Sequence, residues 1–165
     1  MKLPLPPRAY DHDDQAQTRG LMERNDVENL KKAMRVSFTP TVIGATTAGT
    51  QTYSTRIGRW TRIGDLILFS FAVIMTAKDA ATAGAIRITG LPKAALNLTG
   101  LHYQVGIFTS NVTQGATRPT IAGQVPAGQI YIQMLQSGSG VASQNLDAST
   151  VGATSELYGT GNYFV

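Results

Sequence analysis

Groups able to do chemistry are few in this chain. Beyond residue 36 the carboxylates are Asp65, Asp79, Asp147 and Glu156, and the histidine is His102. A glycosidase sets two carboxyls within about 10 Å of each other. Asp65 and Asp79 instead flank an apolar run that, extended at about 3.3 Å per residue, holds them on the order of 45 Å apart. They read as turn residues. A serine nucleophile would have to recruit His102, and no Gly-x-Ser-x-Gly elbow is present. Gly138-Ser139-Gly140 has no strand-to-helix setting, so catalysis is not expected, and His102 reads as a strand residue beside Tyr103. Asp11-His12-Asp13-Asp14 carries donors for a hard cation or a histidine-seeking metal. The same acids are what a helix start attracts, and that reading is preferred. No metal or other cofactor is expected. Groups suited to holding a glycan are easier to find: Trp60, Tyr103 and Tyr131 as rings, with Asn111, Gln114, Gln144 and Asn145 as amides in loops. For Trp60 and Tyr103, packing in a core or an interface is the stronger reading.

The element that must position these groups is Leu66 to Met75, apolar at every position but Ser70. It is too short to span a membrane as a helix and rich in the β-branched and aromatic residues that favour strands. Alternation places Ile67, Phe69, Phe71, Val73 and Met75 on a core face. Leu66, Leu68, Ser70, Ala72, Ile74 and Thr76 form a second face that needs cover from another sheet or another copy of the chain. Leu66, Leu68 and Ile74 are therefore candidates for an oligomer seam.

Around this strand the sequence predicts others: Phe38 to Gly44 with Pro40 pushing it to an edge, Gln51 to Ile57 turning at Gly58 into Trp60 to Ile63, and Ala85 to Thr89 as a partner strand. Leu101 to Thr109, Thr120 to Val125, Gln129 to Leu135 and Leu157 to Val165 follow. Residues 136–150 read as an adaptable loop. Short strands at turn spacings near ten residues predict a mainly β protein, a jelly-roll-like antiparallel β-sandwich over residues 37–165. Residues 1–36 differ. Prolines at 4, 6 and 7 predict an extended opening, Asp13 or Asp14 a helix start, and Val27, Leu30 and Met34 a short helical stripe. That stripe is too brief to hold a coiled coil by itself but can add to an assembly fixed elsewhere.

Composition narrows the function. The 165 residues include no cysteine, which excludes disulfides and thiolate chemistry. The net charge of +4 is scattered; only Arg56, Arg59 and Arg62 cluster, and they read as a solvated strand face, so no nucleic-acid partner is expected. The N-terminus lacks the apolar core of a signal peptide, and no stretch predicts membrane insertion.

Two motifs together resemble a known module. Tyr53-Ser54-Thr55-Arg56-Ile57-Gly58-Arg59-Trp60-Thr61-Arg62-Ile63-Gly64-Asp65-Leu66-Ile67, then a strand, then Ile88-Thr89-Gly90-Leu91-Pro92, resembles a unit of bacteriophage tail-fibre, head-fibre and related prophage proteins. Pro6-Pro7-Arg8-Ala9-Tyr10-Asp11 through Asn29-Leu30 is similar to the leader of small virion fibre or adaptor proteins. The resemblance implies a homotrimer made in the host cytoplasm and carried on the virion. Pro4, Pro6, Pro7, Arg8 and Tyr10 would attach it to other virion proteins, and the β domain would face outward toward a host-surface glycan. The competing reading is a monomeric carbohydrate-binding or adhesin-like β-sandwich module.

Overall fold

A computed structural model describes residues 36–165 of the chain. The proline-rich opening, the Asp11–Asp14 cluster, the expected helix and the Val27, Leu30, Met34 stripe lie outside the described residues. The strands are β1 (Val36–Phe38), β2 (Thr41–Gly44), β3 (Thr52–Ile63), β4 (Leu66–Ala77), β5 (Ile86–Thr89), β6 (His102–Val112), β7 (Thr120–Pro126), β8 (Ile132–Gly138), β9 (Val141–Asn145) and β10 (Val151–Phe164). One 3₁₀ turn, Ala148–Thr150, precedes β10. The described residues are thus mainly β, as the alternation predicts.

On β4 the core face is as expected: Ile67, Phe69, Phe71, Val73 and Met75 are buried, none more than 5 % exposed. The arrangement around it differs from two stacked sheets. All ten strands belong to one antiparallel sheet in the order β1-β3-β4-β10-β6-β7-β8-β5-β2, with β9 added on β8. This sheet is curled on itself and its concave side is the core, filled by Leu157 and Tyr163 of β10, Val105 of β6, Val125 of β7, Ile132 and Met134 of β8, and Ile86 and Ile88 of β5. Burying one apolar face of a sheet against its own far half does what a second sheet does in a sandwich.

The curl is fixed by Pro40. The sequence predicts one opening strand over Phe38 to Gly44; the chain instead breaks at Thr39-Pro40, with β1 pairing to β3 and β2 to β5. Proline has no N–H for a ladder, so a strand cannot run through it with bonds on both sides. Because β1 and β2 stand at opposite ends of the strand order, a link of two residues brings those ends within roughly 11 Å. Tyr53 completes the closure from β3: its hydroxyl accepts from Val42 N at 3.1 Å and lies 3.3 Å from Val42 O. Arg56 stacks over the Tyr53 ring at 4.7 Å and donates to Thr41 Oγ1 at 3.3 Å.

Three other expectations are corrected. Gly58 is not a turn but an interior position of β3, opposite Phe71 and Phe38. A Cβ there would lie 2.5 Å from the Phe38 ring, so the glycine is a packing site. The tight connection that the sequence predicts at Gly64-Asp65 is present, with Gly64 at φ 58°. β5 is not the partner of β4; it lies across the curl between β2 and β8. Residues 136–150 are not a loop, since they carry the end of β8, β9 and the 3₁₀ turn. The last strand starts at Val151 and is central, between β4 and β6.

Candidate functional site

Two features of the convex side of the sheet are not consumed by the fold. The first is a set of apolar side chains on the outward face of β3 and β4, interspersed with polar ones. Register places Ile63 beside Leu66, Thr61 beside Leu68, Arg59 beside Ser70 and Ile57 beside Ala72. Leu68 is 36 % exposed, Ile57 56 % and Ile63 58 %, while Leu66 and Ile74 are half-buried. The expected seam residues Leu66, Leu68 and Ile74 therefore share one outward face, joined by Ile57 and Ile63. The set is interrupted by Arg59 and Ser70, which lie between Ile57 and Leu68 on the same face.

The second feature is a split in the sheet. The β6–β7 ladder runs from His102↔Pro126 to Val105↔Gly123 and ends there. β6 continues to Val112 paired with β10 alone, and β7 starts at Thr120 paired with β8 alone. The connection 113–119 is drawn over β8: Gly115 N donates to Gln136 Oε1 at 3.3 Å, and Thr117 O sits where a side chain on Gly138 would be. Pulling the connection that way opens a cavity of about 390 Å³ between the strands, lined by Gln104, Gly106, Ile107, Ile121, Ala122, Gln124 and Leu135 among others. Nothing in the sequence pattern signals it, because it arises from where a ladder stops.

The seven residues proposed for glycan contact do not form one site. Trp60 is half-buried opposite Phe69 and packs against the core. Tyr103 is buried within 6.3 Å of the Tyr163 and Phe164 rings, its hydroxyl without a hydrogen-bond partner. Asn111 has φ 56° and its amide donates to Thr154 Oγ1 at 3.2 Å, fastening the bulge of β10. Tyr131 lies under Arg87 at 4.4 Å. Gln114, Gln144 and Asn145 are exposed; Asn145 is opposite Leu135, which brings it to the flank of the split. The attachment residues Pro4, Pro6, Pro7, Arg8 and Tyr10 lie outside the described residues.

The four carboxylates among the described residues have structural partners. Asp65 pairs with Arg62 at 3.1 Å. Asp79 accepts from Thr50 N at 2.8 Å and Ala81 N at 2.9 Å, and bonds to these two amides, Ala81 first, hold its carboxyl below the usual range. Asp147 caps the 3₁₀ turn through Ser149 N at 2.9 Å, which lowers its pKa likewise. Glu156 accepts from the Tyr158 hydroxyl at 3.1 Å and thereby raises the phenol pKa. Among the described residues no three His, Asp or Glu side chains group as a metal site, and no helix is long and apolar enough to cross a membrane.

No family model and no curated protein matches the sequence. The structure does have a counterpart: the crystal structure of Dettilon tailspike protein superposes on 79 % of this chain with a TM-score of 0.64 at 20 % identity. The two share a fold. The match covers 23 % of the tailspike chain, so this chain corresponds to less than a quarter of that protein.

Proposed function

We propose that the chain is a non-enzymatic structural component of a bacteriophage particle, a homotrimeric fibre, spike or adaptor. Residues 1–36 attach it to other virion proteins, and the β domain is displayed toward the host surface. The observation that carries this reading is the fold shared with a tailspike, in a chain whose two motifs already resemble virion fibres. The outward face of β3 and β4 supports the trimeric form. In a three-fold assembly that face packs against its neighbours, covering Ile57, Ile63, Leu66, Leu68 and Ile74.

Sedimentation of the full-length protein tests the assembly. A stable trimer is expected; a monomer removes the support for a fibre and favours the carbohydrate-binding or adhesin-like module. Attachment is tested by deleting residues 1–20. The truncated chain is expected to drop out of purified particles while retaining the β circular-dichroism signal of the full chain, and a truncated chain that still enters particles overturns the assignment.

A further inference from the structure

We propose that the split between β6 and β7 binds a neutral saccharide of one or two rings, with Gln104 and Gln124 as its principal hydrogen-bonding side chains. The cavity holds about 390 Å³, near the lower end of the 300–1,000 Å³ typical of small-ligand sites. Its lining has no charged side chain. A phosphate or carboxylate would find no cation there, so the ligand is neutral.

What the lining does offer is matched to hydroxyls. Gln104 and Gln124 stand opposite each other on the convex face at the closed end, and each amide both donates and accepts, as a sugar hydroxyl does. Gly106 and Ala122 face each other across the opening with next to no side chain, which lets a ligand reach the main chain. Alternate residues of an antiparallel strand turn N–H and C=O to opposite sides. Beyond Val105 on β6 and before Gly123 on β7, those aimed into the gap have no ladder partner. An exposed aromatic ring stands further along the β6 edge of the opening. Phe108, two residues from Gly106 on the same face, is 68 % exposed and is held 6.1 Å from Tyr158. An exposed ring presents a flat apolar surface to the C–H face of a pyranose.

Unpaired strand edges also suit an added peptide strand. The geometry is against it, because the slot is closed at one end by the Val105–Gly123 pair and at the other by the 113–119 connection. A compact ligand enters from the face; an extended chain has no way through.

The assignment rests on the host-surface reading for its biological setting, but the binding is read on the purified chain. Full-length ¹⁵N-labelled protein is titrated with lactose, maltose and chitobiose in turn, each to its solubility limit. At least one is expected to shift the Gly106, Ala122 and Gly123 amides and the Gln104 and Gln124 side-chain amides saturably. Ala122→Leu, which fills the opening, abolishes those shifts; Gln104→Ala, at an exposed position, weakens them about fivefold. No shift with any of the three sugars overturns the proposal, as do shifts that persist in Ala122→Leu. Shifts at these amides from acetyl-Thr-Val-Thr-Val-amide, with none from the sugars, overturn it in favour of strand addition. Mass spectrometry of purified particles separates the two readings: a chain missing from particles that still binds sugar in the slot overturns the virion role alone.

Discussion

At the scale of single residues, the polar side chains of the described domain mostly hold backbone. Gln51 shows the pattern: its Nε2 donates to Thr82 Oγ1 at 2.7 Å and its Oε1 accepts from Asp79 N at 2.9 Å, tying the start of β3 to the turn after β4. Lys78 donates to Ala148 O at 2.6 Å and Val151 O at 2.7 Å across the same end. The pH dependence follows from such contacts. Asp79 and Asp147 titrate lower folded than unfolded, so the stability they contribute is complete above the unfolded value of about 4 and is lost as the pH falls through their folded values. Urea midpoints measured on descending from pH 6 are expected to fall, with a shallower slope in Asp79→Asn. Tyr163 acts at the other extreme. Burial drives its phenol up to about 12, and its hydroxyl donates to Lys93 O at 3.0 Å. Its contribution is whole below the unfolded value of about 10 and is lost as the pH rises through the folded one. Phenolate absorbance should show one tyrosine titrating well above the rest, and Tyr163→Phe should remove that step. The roles of Asp65 and Asp79 as turn residues were legible in the sequence, since both sit at ends of an apolar run. Core packing of Tyr103 was the stronger reading of a ring in a strand; the role of Asn111 was not legible, because an amide in a polar stretch looks the same whether it meets a ligand or its own fold.

At the scale of elements, glycines decide how closely strands and side chains pack. Gly159 of β10 lies opposite Phe71 of β4, and a Cβ there would stand 2.3 Å from the Phe71 ring. Gly159→Val is expected to cost about 1–3 kcal/mol through overpacking, read as a lower urea midpoint; a neutral result would show that the β4–β10 pair can open to admit it. The same close approach explains why the sequence misplaces a turn. Gly58 flanked by strand-like residues carries the signature of a hairpin, but the Phe38 ring, from a strand twenty residues earlier in the chain, occupies the space. The β4 core face was readable because every second residue is bulky and apolar. The partner of β5 was not, because alternation identifies a buried face without saying which strand lies beside it.

At the scale of the whole molecule, the prediction concerns the convex face. In the proposed trimer, arginines added on either side of Arg59 would be buried beside a like charge, so Leu68→Arg with Ile57→Arg is expected to turn that trimer into monomers while the circular-dichroism spectrum stays unchanged. A trimer that survives both substitutions would place the association elsewhere. The sequence by itself determined that this is a mainly β domain, that Ile67 to Met75 supply one core face, and that the reverse of that strand is left half-apolar; these are consequences of side-chain period, which is local. Only the tertiary structure decided that there is one curled sheet instead of two, that Pro40 sends β1 and β2 to its opposite ends, and that β6 and β7 part company beyond Val105 and Gly123. Each depends on which distant residues meet, and a long-range pairing is chosen by the packing of the whole core, not by the residues on either side of it in the chain.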